Sequence, residues 1–267
     1  MSVKFEKNTF KKRIKSMLAV DFRRMLVSPI FYIMIGASFV MPILILVMTT
    51  MMDGMVSIDP QTGVETVMEG FKSVWQIIGT VSGGEQAMSM DITSMCNINM
   101  MFFIISVFIC IFVGEDFRSG YAKNLFTVRS KKDDYVISKT ITCFVAGAIM
   151  IVIFFLGSMI GGAIAGLPFA LEGATIFNVV MCMISKVLLV GIFASIYILA
   201  SVFAKQRLWL SLILAFGIGM LMFMMIPIIT PLNSTVINLL LCLVGSAIFS
   251  IGIGFGSKAV LSKSSLV

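Results

Sequence analysis

The sequence predicts an all-α membrane protein with six transmembrane helices, and three observations carry that class. Hydrophobic residues make up 59% of the 267 and charged residues only 12%, about half the charged share of an ordinary soluble domain. The apolar residues come in blocks of about twenty, the length that crosses a bilayer as a helix. The basic residues fall between those blocks with a strong bias to one side. The expectation is a single transmembrane domain over residues 1–267. It carries an N-terminal amphipathic interfacial helix (1–29), an extracellular segment (53–97) and a short cytoplasmic helix in the loop 114–135, between spans two and three.

Residues 1 to 28 carry eight bases, among them Lys11, Lys12, Arg13, Lys15, Arg23 and Arg24. Phe10, Ile14, Met17, Leu18, Phe22, Met25 and Leu26 keep a helical period between them, which reads as a basic amphipathic helix on the cytoplasmic face. The apolar run that follows is too long for a signal peptide, and no small-x-small site follows it. The first span is expected from Ile30 to Met51, with Pro42 as a kink. In the polar segment after it, Val64, Val67, Met68, Phe71, Val74, Trp75 and Ile78 fall at helical spacing and predict an outer amphipathic helix, ended by Ser82-Gly83-Gly84. The second span is placed at Ile98 to Val113, and the third is apolar from Val136 to Ala165 before Gly166-Leu167-Pro168 turns the chain. The fourth apolar region, Ala174 to Phe203, contains Lys186. Either one tilted helix carries that lysine at depth, or an interfacial helix precedes a span beginning near Val187. Of the two, a lysine reaching out to the interface is preferred. The fifth span runs from Leu208 to Ile229, broken by Pro227 and Pro231, and the sixth from Val236 to Gly256.

With both termini inside, eighteen of the 20 Lys and Arg lie in inner segments, and the outer loops hold only Lys72. The positive-inside rule therefore sets the orientation. The net charge of +7 follows membrane loops, so its acidic partner is the anionic inner lipid surface and no nucleic acid is expected. Seven acids, including Asp59, Glu85 and Glu172, fall on the outer side and read as a solvated loop.

Missing chemistry narrows the function class. There is no His, and the five cysteines are widely spaced, so no metal site or disulfide framework is expected. Copper binding by the run Met220-Leu221-Met222-Phe223-Met224-Met225 is set aside because no Cys or His accompanies it. The spans contain at most one ionisable residue, Lys186, and no Asp, Glu or His at depth, whereas coupled transporters bury such groups as relays or ion ligands. No protease or esterase motif occurs, and Gly256-Ser257-Lys258 lacks the rest of a P-loop. Gly157-x-x-x-Gly161 in the third span and Gly252-x-x-x-Gly256 in the sixth are helix-packing steps, read first as packing within the subunit.

The loop between spans two and three holds the remaining signal. Phe117, Tyr121 and Leu125 recur every four residues, one stripe of a short helix that Glu115 and Asp116 are expected to open. Arg118 and Lys123 lie off the stripe, and Ser130 with Asp133 reads as a capping box for the next helix. Such a helix either rests on lipid or docks a cytoplasmic partner. The run resembles the coupling-helix region of type-2 ABC exporter permeases: Glu115, Arg118, Gly120, Leu125, Ser130-Lys131 and Ser138-Lys139 stand at matching spacing. Tyr121 replaces the usual Thr and Val128 the usual Pro, which leaves the substrate branch open. Asp21-Phe22-Arg23-Arg24-Met25-Leu26 with Ser28-Pro29 looks like that family's lead-in to its first span.

The resemblance implies a permease paired with a second permease subunit, itself or a homologue, above two cytoplasmic ABC ATPase subunits. It implies that ATP and Mg bind those ATPases and that this chain binds no cofactor. Glu115, Phe117, Arg118, Tyr121, Lys123 and Leu125 become the ATPase-coupling residues, with Phe117, Tyr121 and Leu125 filling the partner's groove. The expected activity is outward movement of a hydrophobic or amphipathic cargo, such as an antimicrobial peptide, drug or lipid, across a bacterial cell membrane. The alternatives are an accessory membrane protein without transport, or a secondary transporter.

Overall fold

A computed structural model describes residues 10–58, 65–81, 96–128, 132–171, 173–223 and 225–263. The expectations placed on Lys4, Lys7, Asp59, Val64, Glu85, Asp91, Arg129, Ser130, Lys131, Glu172 and Met224 lie outside them. Nearly all of the described chain is helical. Helix α1 (Phe10–Val27) stops at Ser28 and α2 (Pro29–Met52) begins on a proline, which needs no amide hydrogen there. Next come two three-residue strands, β1 (Val56–Ile58) and β2 (Glu65–Val67), antiparallel with Val56 opposite Val67. Helix α3 (Met101–Arg118) continues a 3-10 turn at Ile98–Met100. The eight-residue α4 (Tyr121–Val128) leads to α5 (Lys132–Ala165), α6 (Ile176–Ala204), α7 (Leu208–Phe223), the single turn α8 (Ile226–Ile229) and α9 (Val236–Lys263).

Five of these helices are long and apolar enough to cross a membrane: α2, Ile98–Arg118, α5, α6 and α9. The remaining expected span, the fifth, is the shorter apolar α7, which stops at Phe223 ahead of the turn built on Pro227. Helix α6 is the central post, with α9, α3, α5 and α7 packed around it and α2 lying along α5. Small residues set the closest approach. A Cβ on Gly157 would lie 2.4 Å from the Phe39 carbonyl oxygen and 2.9 Å from Pro42, and one on Gly161 would lie 2.8 Å from the Ile43 Cα. Both glycines therefore seat α2 against α5. Gly252 and Gly256 face open space, so that second step packs against nothing within the described chain.

The outer amphipathic helix is not formed. Pairing with β1 draws Glu65–Val67 into a strand, Met68 exchanges amide and carbonyl with the Gly54–Met55 turn, and the Gly70 amide donates to Asp53 Oδ1 at 2.8 Å. Only Val74–Ile77 turns as a 3-10 helix, with Val74, Ile77 and Ile78 buried. The helical spacing there reports a wedge of apolar side chains held by backbone pairing elsewhere. Gly162 makes room for Val74, since a Cβ would lie 2.2 Å from its Cγ2.

Candidate functional site

Three helices converge where α1, the end of α3 and the start of α5 meet, and they bring together three buried charges and one half-buried guanidinium. Lys139 on α5 is fully buried, and its Nζ lies 2.8 Å from Asp21 Oδ1 on α1 and 2.8 Å from Asp116 Oδ2 on α3. Arg24, one turn beyond Asp21, reaches Asp116 Oδ1 at 2.6 Å. Tyr135 donates its phenolic hydrogen to Asp116 Oδ2 at 2.9 Å, and Ser138 donates to Asp21 Oδ2 at 2.5 Å. The Lys139 ammonium also sits 4.2 Å from the Phe112 ring centroid. Two carboxylates against two cations make the cluster neutral, the condition under which charge is tolerated away from water. Around it, Arg13 pairs with Asp134 at 2.8 Å, and Lys258 on α9 pairs with Asp133 at 2.9 Å.

The short helix α4 is bolted to this cluster. Gly120 adopts φ +75° and breaks the chain direction after α3, a conformation that side chains rarely allow. Glu115 and Asp116 therefore lie in the last turn of α3 and do not open α4. Arg118, at the same end, is well placed against that helix's negative pole. The break also divides the proposed stripe. Phe117 is buried edge-on to Tyr135, with ring centroids 6.4 Å apart. Tyr121 is half-buried, its ring 4.1 Å from the Arg24 guanidinium carbon, and Leu125 packs against the core. Burial and the nearby Asp21 carboxylate push the Tyr121 phenol above its ordinary pKa. Ala122 is buried, and Phe126 meets Tyr135 at 5.3 Å.

The apolar face expected to fill a partner's groove is thus turned inward, because it is what holds an eight-residue helix to the bundle. Lys123, Asn124 and Thr127 face out, next to an exposed pair in which Arg118 donates to Glu115 at 2.6 Å. Sequence reading missed the cluster itself. The sequence marks Asp21–Leu26 and Ser138-Lys139 as matches to the family pattern, without indicating that they meet. The available signal was the four-residue step from Tyr135 to Lys139, which puts a hydrogen-bonding ring and a cation on one helix face.

A second polar site lies towards the other end of α6. Lys186 does not reach the interface. Helix α6 runs unbroken past it, and the side chain is fully buried, its Nζ donating to Asn99 Oδ1 at 2.8 Å and Thr230 Oγ1 at 3.0 Å. The physical reason is that two neutral acceptors, from the 3-10 turn before α3 and the residue ending α8, offer themselves inside the bundle. One turn away the Cys182 thiol donates to the Thr230 carbonyl at 3.5 Å. Among the described residues no group of His, Cys, Asp and Glu is placed to hold a metal ion.

Comparison with known proteins supplies the family. The family described as ABC-2 family transporter protein matches residues 20–222, well over half of the chain. No curated protein and no solved structure matches it. The matched span starts one residue before Asp21 and takes in α2 to α6 and nearly all of α7; it covers the charge cluster and Lys186 with Asn99, and ends before Thr230. A match of that length shows the family, and the chain belongs to the ABC-2 transporters as a membrane-embedded permease.

Proposed function

We propose that this chain is the permease of an ATP-driven exporter, powered by two separate ATPase subunits and paired with a second permease, itself or a homologue. The ATPases dock at the end that holds α1, α4 and the start of α5, which the distribution of basic residues puts on the cytoplasmic side. ATP and Mg are bound by those partners. One observation carries this reading: the neutral Asp21–Arg24–Asp116–Lys139 cluster ties α4 through Tyr121 and Arg24 to three helices at once. A push on α4 then moves α1, α3 and α5 together, because separating any one of them strands a buried charge. The cargo is hydrophobic or amphipathic, and a membrane-active peptide is the preferred class.

The docking surface is the polar face of α4, with Lys123 as its contact and Arg118 beside it, each meeting carboxylates of the ATPase. The test is recovery of a P-loop ATPase with tagged permease from detergent extract, normalised to permease. Reversing both charges (Arg118→Glu with Lys123→Glu) should lower ATPase recovery by about tenfold or more, and the loss should shrink as salt screens the repulsion. Both side chains are exposed, so permease yield should hold. Undiminished recovery in the double variant refutes docking on this face and leaves α4 a connector packed on its own bundle.

A further inference from the structure

The two polar sites treat charge in opposite ways. At the α1–α3–α5 cluster each buried cation is matched by a buried carboxylate. Lys186 is buried just as completely, yet its ammonium meets only a side-chain amide oxygen and a hydroxyl, and no carboxylate of the described residues reaches it. These two neutral acceptors take two of the three ammonium N–H groups and do not cancel the charge, so the site keeps a standing affinity for an anion. The Thr230 acceptor also helps join the layer above it to α6, beside the first turn of that helix, where the Asn178 amide donates to the Ser234 carbonyl at 3.0 Å. Thr230 ends α8, and Leu232 just beyond donates to the Thr80 carbonyl at 2.7 Å. Trp75 and Ser73 donate to the carbonyls of Phe169 and Ala170. These segments form a cap over Lys186.

A cavity of about 260 Å³ opens in that cap, with Lys72 and Gln76 at its side and Gly79 and Leu232 among its walls. A Cβ on Gly79 would lie 3.7 Å from the Thr230 carbonyl oxygen and 3.8 Å from Cys182 Sγ. One layer of chain therefore separates the cavity from the group that Lys186 holds.

We propose that Lys186 is an anion-recognising latch: it closes the cap by holding Asn99 and Thr230, and the carboxylate or phosphate of an amphipathic cargo displaces those acceptors and opens it. This rests on the exporter reading for the word cargo. Its test uses the permease alone, so it can fail while ATPase docking stands, and the reverse.

Cys182 provides the readout, because its thiol is buried against the Thr230 carbonyl. With Cys96, Cys110, Cys143 and Cys242 replaced by Ala, alkylation of Cys182 by a charged maleimide is timed in nanodiscs of zwitterionic lipid. Dodecyl phosphate should speed alkylation at least tenfold, whereas dodecyl maltoside and dodecyltrimethylammonium should leave it unchanged. Lys186→Met should label fast without any addition and no longer respond. Thr230→Val, which removes one acceptor and keeps the charge, should label faster and still respond. Acceleration by inorganic phosphate alone would assign the site to a free anion, and acceleration in phosphatidylglycerol nanodiscs to a lipid headgroup; both would overturn the cargo assignment. An unresponsive wild-type protein, equal acceleration in Lys186→Met, or slow basal labelling of that variant would overturn the latch.

Discussion

Replacing Lys139 by Met should be among the most damaging single changes available in this chain. Lys139 has no exposed surface, and its ammonium is shared between Asp21 and Asp116, both also fully buried. Its removal leaves two carboxylates facing one guanidinium, with Asp21 held mainly by the Ser138 hydroxyl. Breaking a buried pair by removing one partner costs about 3–5 kcal/mol, and the Phe112 contact adds ~1 kcal/mol or more when desolvated. Adding Asp21→Asn restores neutrality and should recover at least half of the loss. The assay is thermal unfolding in detergent, followed by tryptophan fluorescence and by retention of a monodisperse elution peak. At roughly 2–4 °C per kcal/mol for a chain of this size class, Lys139→Met should unfold about ten degrees early. The double variant should fall clearly between it and the wild type. Additivity of the two single changes to within about 0.5 kcal/mol would show that these side chains do not interact and would refute the cluster.

Gly157→Ala should unsettle the seat of α2 on α5, since its Cβ would press on the Phe39 carbonyl. Gly252→Ala meets open space and should raise helix stability by about 0.5–1 kcal/mol; the same unfolding assay orders the two. For orientation, cysteines placed at Lys72 and Lys123, both exposed, should differ in intact cells. An impermeant maleimide should label position 72 and spare position 123, and the reverse would invert the proposed topology.

The apolar blocks were legible because a span needs only length and composition. The helical limits of α5 and α6 follow the apolar runs closely, whereas α7 ends at Phe223, short of the expected Ile229. Helix α3 runs five residues past Val113, because the burial of Asp116 and Phe117 lets a helix continue where composition turns polar. The loop helix was legible as an element and illegible as a surface. Periodicity marks an apolar stripe without saying whether lipid, a partner or the chain's own bundle covers it, and here Arg24 and Tyr135 cover it. The charge cluster was hidden for a different reason. Its members lie far apart in sequence, and a lone Asp or Lys beside a span looks like any other loop charge. Lys186 was read from its distance to the end of a helix, whereas the acceptors that decide its direction come from two other elements.

The spacing of the cluster along the chain also sets an order of events during synthesis. Asp21 and Arg24 are made early, but Ser138 follows Asp21 by 117 residues, with Lys139 next to it. Until α5 emerges, α1 has only the Arg24–Asp116 pair and the Arg24–Tyr121 contact to hold it to α3 and α4, and Asp21 has neither of its partners. Helix α1 is locked only when the first two turns of α5 emerge, and the same step supplies the cation that Asp21 lacks and the Tyr135 ring that packs on α4. A nascent chain halted before Lys139 carries one carboxylate too many at that face, with Asp21 lacking its cation. The face that would receive the ATPase is thereby withheld until half of the permease has been made.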